Sequence, residues 1–156
     1  MTLHPVDHDE LVIERTLKAS PERVFAAWAD PLQKRRWYAE GEPFVLEAFE
    51  ANFREGGVER SRFRLKNGPE MTNETYYHEI VDGRRIIQSY AMTFGGKRIS
   101  VSLATLELAP AGVGTHLKFT EQGAFLEGSD GVERRRDGWN VLLDRLTTLL
   151  EGGELR

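Results

Sequence analysis

Residues 56–68 read GGVERSRFRLKNG, a run held between Gly56-Gly57 and the reversal signal Asn67-Gly68. Within it Arg60, Arg62, Arg64 and Lys66 alternate with Glu59, Ser61, Phe63 and Leu65. Successive side chains of a strand point to opposite faces, so four cations on one parity put that face in water and turn the other inward. The inward set opens with a carboxylate and a hydroxyl. The same grammar repeats from about residue 43 to 122, where PFVLEAFEANF, GGVERSRFRL, MTNETYYHEIV, RRIIQSYAMTF, RISVSLATLEL and THLKFTEQ are separated by REGG, KNGPE, VDGR, GGK and PAGVG. Asn-Gly and Asp-Gly pairs favour tight reversals between antiparallel neighbours, and the spacing predicts a meander of strands.

Before this block, ELVIERTLK (10–18) reads as a first strand. Ser20-Pro21-Glu22-Arg23 then supplies an N-cap, a proline at the first helical position and an acid in the first turn. Val24, Phe25 and Trp28 form the apolar stripe of a short helix, and Asp30-Pro31 restarts the chain into a second one ending near Trp37-Tyr38. After the block, residues 130–151 carry Trp139, Leu142, Leu143, Leu146, Leu149 and Leu150 on one face of a long helix. Arg134, Arg135 and Arg136 are expected to solvate its first turns, and Gly152-Gly153 to end it. The fold class expected is α+β, a curved antiparallel sheet of about seven strands wrapped on the long C-terminal helix. One domain over 10–151 is expected, with tails at 1–9 and 152–156.

A chain of 156 residues suits a single core. Its formal net charge of -4 supplies no global attraction to nucleic acid, and no nucleotide, phosphate-loop or nucleic-acid motif occurs. Cysteine is absent, so thiolate chemistry and disulfides are excluded. The polar N-terminus and the lack of any run of about 18 apolar residues point to a cytoplasmic protein without membrane insertion. His4, Asp7, His8 and Asp9 are metal-ligating types, but in an unanchored tail they bind weakly, so no metal or cofactor is expected.

The order of these motifs resembles a known superfamily. Ser20 to Trp28, Trp37-Tyr38, Phe53-Arg-Glu-Gly-Gly57, His78-Glu-Ile80, Arg85 to Tyr90, Gly114-Thr115 and Gly138-Trp139 with its following leucines are similar to START-like proteins. Within these, the chain resembles the homologues of the chaperone ATPase activator, often labelled SRPBCC-domain proteins, over roughly residues 10–151. The resemblance implies a helix-grip fold with a cavity between sheet and helix, relatives that bind apolar molecules, and some that are cyclases or aromatases. The sequence departs from that pattern at Glu59, where relatives commonly carry an aromatic or aliphatic residue.

Several residues are candidates for lining such a cavity. Glu59 and Ser61 would give it a polar floor, with Phe63 beyond them; the alternative is that Glu59 lies at a frayed strand start and reaches water. In the next strand Tyr76, His78 and Ile80 are assigned inward because their parity ends in isoleucine where the other ends in glutamate, which would bring His78 towards Ser61 or Glu59. Gln88, Tyr90 and Met92 share the bulky parity of the following strand, facing the helix. Trp28, Trp37 and Phe125 are expected to rim an entrance, and Trp139 and Leu143 to contribute the helix wall. The leading expectation is a non-catalytic carrier or sensor of a small, mostly apolar molecule with a polar handle. An enzyme of cyclase or hydrolase type would use Glu59 or His78 as acid or base beside Tyr90. A protein-interaction module, with a chaperone contact and Arg60, Arg62 and Arg64 as its surface, is the third reading, and a homodimer is the expected assembly.

Overall fold

The computed structural model describes residues 5–155. Seven antiparallel strands form one sheet in the order β1-β7-β6-β5-β4-β3-β2. They are β1 (Asp7–Leu17), β2 (Phe44–Ala51), β3 (Val58–Leu65), β4 (Met71–Val81), β5 (Arg85–Phe94), β6 (Lys97–Ala111) and β7 (Gly114–Phe125). The six strands from β2 onward make the expected meander, and β1 closes against β7 from Asp7↔Phe125 to Leu17↔Thr115. Pairing therefore begins at Asp7, inside the stretch expected as a tail, while His4 of the proposed cluster lies outside the described residues.

Helix α1 (Pro21–Ala29) starts where expected, with Ser20 Oγ accepting from Arg23 N. Asp30 caps the next turn through Leu32 N, so α2 (Pro31–Lys34) follows without a spacer. The chain leaves it through a wide π-type turn, Arg35–Ala39, in which Glu40 N bonds Arg35 O five residues back. The last helix, α3 (Gly131–Leu150), buries Trp139, Leu143, Leu146 and Leu150 on one face. It packs against β1, β7, α1 and the π-type turn. No helix among the described residues is long and apolar enough to cross a membrane.

The start of β3 is fixed rather than frayed. Gly56 N bonds Tyr77 O at 2.8 Å and Tyr77 N bonds Gly57 O at 3.1 Å, extending the β3–β4 pairing through the turn. A Cβ at Gly57 would sit 2.0 Å from Asn52 O, so only glycine fits this approach. Glu59 consequently enters the interior two residues later and is 2% exposed. The alternative that it reaches water is overturned.

Candidate functional site

Burying Glu59 requires a partner, and α2 supplies one. Lys34 Nζ lies 2.8 Å from Glu59 Oε1. Tyr77 Oη donates to the same oxygen at 2.7 Å and accepts from Lys34 at 3.3 Å. The ammonium also lies 4.7 Å from the ring centre of Tyr38, a cation–π contact that compensates lost hydration. Burial, and then the charge and hydrogen bond of Glu59, push the Tyr77 phenol far above its ordinary range, so it remains a donor.

A second buried carboxylate, Glu121 on β7, holds the other side. It accepts from Tyr90 Oη at 2.6 Å, Ser102 Oγ at 2.8 Å, Trp139 Nε1 at 2.9 Å and Arg135 Nη1 at 2.9 Å. Arg135 extends from α3 to bond Ser100 Oγ and both carboxylate oxygens of Asp130. It is 5% exposed, so the middle arginine of the triplet does not solvate the helix as expected but pins its first turns to β5, β6 and β7. Burial resists the charge of Asp130, yet the hydrogen bonds and positive charge of Arg135 outweigh it and hold that carboxyl below its ordinary range.

Between these clusters the space under α3 is occupied by aromatic side chains. Trp28 stacks on Trp139 with centroids 6.2 Å apart, Phe119 lies 4.2 Å from Trp139, and Trp37 meets Trp28 edge-on at 4.7 Å. Trp37 Nε1 donates to Ala27 O at 2.8 Å. Trp28, Trp37 and Phe125 are core residues rather than an entrance rim: ring contacts bury the two tryptophans, and the Arg135 guanidinium lies 5.1 Å from the ring of Phe125. Leu143 is buried with them. Tyr90 is committed to Glu121, and Gln88 is buried with its Oε1 unpartnered.

Towards the Leu65, Met71 and Phe94 ends of β3, β4 and β5, the inward face is only partly covered. Ser61, Asn73 and Met92 are neighbours across β3, β4 and β5 in one row facing the interior. The next row carries Leu46, Phe63, Met71 and Phe94, followed by Phe44 opposite Leu65. Phe44, Leu65 and Phe94 keep 42%, 42% and 43% of their surface exposed, so this row of large apolar groups forms an open shelf and not core. Phe44 and Phe63 meet edge to face at 5.5 Å. At the inner limit of the shelf, Asn73 Nδ2 donates to Tyr38 Oη at 3.2 Å, and Asn73 Oδ1 is buried with no hydrogen-bond partner.

The sequence-derived candidates thus divide. Phe63 and Met92 line the shelf, Ser61 and Glu59 lie buried behind it, and Trp28, Trp37, Gln88, Tyr90, Phe125, Trp139 and Leu143 belong to the interior. Tyr76 and His78 are corrected to the convex face, where Tyr76 is exposed and donates to Glu74, and His78 Nε2 pairs with Ser89 Oγ at 2.7 Å. The cause is a register shift between Tyr77 and Glu79. Ile80 does pack on the core, but one extra residue inverts parity upstream of it, so Thr75 and Tyr77 point inward instead. His78 and Glu59 are therefore on opposite faces, and the acid–base pair imagined between them is not assembled. Arg60, Arg62 and Arg64 are on the convex side as expected, each beside a carboxylate, Glu74, Glu70 and Glu47.

Lys34, Tyr38, Asn73, Tyr77, Glu121 and Arg135 carry much of the polar architecture, yet the sequence assigns none of them a site role, and Arg135 is expected there as a solvated residue. For two of them a signal exists. Arg135 stands four residues before Trp139 and eight before Leu143, on the buried stripe of α3. Glu121 shares parity with Leu117 and Phe119 in β7.

Comparison with known proteins adds the following. A family model described as "Activator of Hsp90 ATPase homolog 1-like protein" matches residues 18–151. A crystal structure of a protein from Rhizobium loti is 43% identical, with TM-score 0.86, covering 93% of this chain and 99% of that one. A structure of an uncharacterised protein from Rhizobium leguminosarum is 39% identical, with TM-score 0.91, covering 96% and 99%. A protein from Chromobacterium violaceum shares 29% identity at TM-score 0.77, covering 91% and 96%. Among curated proteins none matches the chain.

Proposed function

Because the chain belongs to the Activator of Hsp90 ATPase homolog 1-like family of the START-like superfamily, we propose that it binds a small, mostly apolar molecule non-catalytically, as a carrier or sensor. The seat is the open concave shelf on β2–β5. One observation carries the reading: Phe44, Leu65 and Phe94 lie on the inward parity with 42–43% of their surface exposed, beside partly buried Phe63, Met71 and Met92. Apolar walls with a few oriented polar groups are the usual composition of a small-molecule site. The packed aromatic layer under α3 gives the shelf a rigid back wall.

Native mass spectrometry of the protein purified from cells tests this. The expected result is an additional small-molecule mass that is reduced in Phe63→Asp, a substitution on the shelf that leaves both buried ionic clusters intact. Failure to carry such a mass, together with failure to bind added 1-methoxynaphthalene, would remove the reading.

A second reading, a protein-interaction module or homodimer, is favoured by one feature. Strand β2 is an edge of the sheet, and it exposes Phe44 and Val45 beside unpaired backbone groups. Sedimentation across a hundredfold concentration range would reveal self-association through that edge, and its loss in Val45→Lys would support it.

A further inference from the structure

Independently of the shelf, which lies on the concave side, we propose that the convex face of the sheet is a self-association surface, on which a second copy of this chain stacks about a twofold axis. The outward side chains within 87–91 of β5, 101–105 of β6 and 120–124 of β7 lie side by side in the register, and none of them is charged. Val101 and Leu103 keep 45% and 41% of their surface exposed. Tyr76, which continues the row of Leu103 and Ser89 onto β4, keeps 42%. Charges resume at the borders of this block, with Glu107 between Arg85 and Lys118 along one and Glu74 beside Arg60 at another. Single exposed apolar residues need no explanation, but a charge-free block across three central strands of a solvent-facing sheet marks a contact surface.

The occupant follows from the register, because the block is complementary to itself. Large and small residues are neighbours across β5 and β6, Val101 beside Ala91 and Leu103 beside Ser89. A twofold axis parallel to the strands, midway between β5 and β6, lays β6 of one copy on β5 of the other and β7 on β4. Val101 and Leu103 then meet Ala91 and Ser89 of the second copy, so bulky side chains fill the space that small ones leave. The same operation sets Tyr76 over Gln122, where a shallow hollow of about 460 Å³ includes His8, Glu10, Gln122 and Ala124 in its lining. It also sets Glu107 over Arg85 and Arg85 over Glu107, with Arg85 oriented by Glu79 at 2.8 Å. A second copy carries the whole pattern already. Convex sheets touch only at their centre, and the block measures roughly 15 by 20 Å at the usual spacings of a sheet. That is well below the ~800 Å² each partner gives to a standard stable interface, so the dimer is weak and reversible.

Sedimentation velocity of the full chain from about 5 µM to about 500 µM tests this, with the folding of each variant checked by urea unfolding. The unaltered protein should pass from monomer to dimer with a dissociation constant on the order of 100 µM. Leu103→Lys should remove the dimer, whereas Val45→Lys on the β2 edge should leave it unchanged. Glu107→Arg and Arg85→Glu each bring like charges together and should weaken dimerisation about tenfold. An equimolar mixture of those two variants should dimerise nearly as well as the unaltered protein, because only in the mixed dimer do opposite charges face each other again. A chain that stays monomeric throughout overturns the inference, as does a dimer that survives Leu103→Lys. Loss of the dimer in Val45→Lys alone would assign it to the edge strand instead, and a mixture no more associated than its two components would overturn the twofold stacking. None of these outcomes bears on guest binding at the shelf, so the two readings stand or fall separately.

Discussion

Lys34 Nζ lies 2.8 Å from Glu59 Oε1, and both side chains are 2% exposed. The pair joins the short helical segment after β1 to the strand whose alternation organises the sheet. Removing one partner strands the other charge in the interior, which typically costs about 3–5 kcal/mol. Lys34→Met should therefore be severely destabilising in urea unfolding. Lys34→Met combined with Glu59→Leu should recover a substantial part of that loss. If the two single losses simply add in the double variant to within about 0.5 kcal/mol, the side chains are not coupled and the assignment of this pair is wrong.

The arginine triplet at the start of α3 offers an internal comparison. Arg135→Met removes the cation from Glu121 and Asp130 and should cost about 3 kcal/mol or more, with faster amide exchange in the first turns of the helix. Arg134 is exposed, and Arg134→Met should change stability by no more than about 0.5 kcal/mol. Equal effects of the two substitutions would contradict the clamp.

These residues also mark how far the sequence could be read. Alternation is legible in β3 because glycine turns bound it and four cations occupy one parity, which turns Glu59 and Ser61 inward, but parity alone does not separate a buried Glu59 from one reaching water at a frayed strand start. In β4 the same logic was anchored on Ile80 and carried through a bulge that nothing in TYYHEIV announces, since tyrosines stand on both parities. His78 and Tyr76 were misplaced by that single extra residue. Lys34 could not be read as interior from α2 alone, whose few residues give no periodicity and whose partner is distant in sequence. The shelf was hidden for another reason. Phe63 and Met92 were identified as inward, but how much of the concavity α3 would leave uncovered depends on the angle of a helix, not on residue type.

Acid should weaken the clamp through Asp130. Its carboxyl ionises below the ordinary value of 3.8 in the folded protein because Arg135 outweighs the opposing effect of burial. A group with a depressed folded value contributes its full stabilisation above the unfolded value and loses it as pH falls through the folded one. Urea midpoints of the unaltered protein should therefore drop between about pH 5 and pH 3, and Asp130→Asn should show a shallower decline over that interval from a lower starting point. Identical slopes in the two proteins would show that Asp130 does not contribute.

The shelf should be thermodynamically separate from the core it borders. Phe44 is half exposed and touches Phe63 at the rim. Phe44→Ser should reduce stability by only about 1 kcal/mol, well short of the 3–5 kcal/mol of a fully buried phenylalanine, while weakening 1-methoxynaphthalene binding severalfold. A loss of several kcal/mol would place Phe44 in the core instead of at a binding surface.

The most direct test uses the methionines. The chain contains three, Met1, Met71 and Met92, and the latter two face the shelf from adjacent strands. With methyl-labelled methionine, saturating 1-methoxynaphthalene should shift the resonances of Met71 and Met92, each assigned by substitution to leucine. Saturable binding that moves neither methyl would place the guest elsewhere and contradict the account.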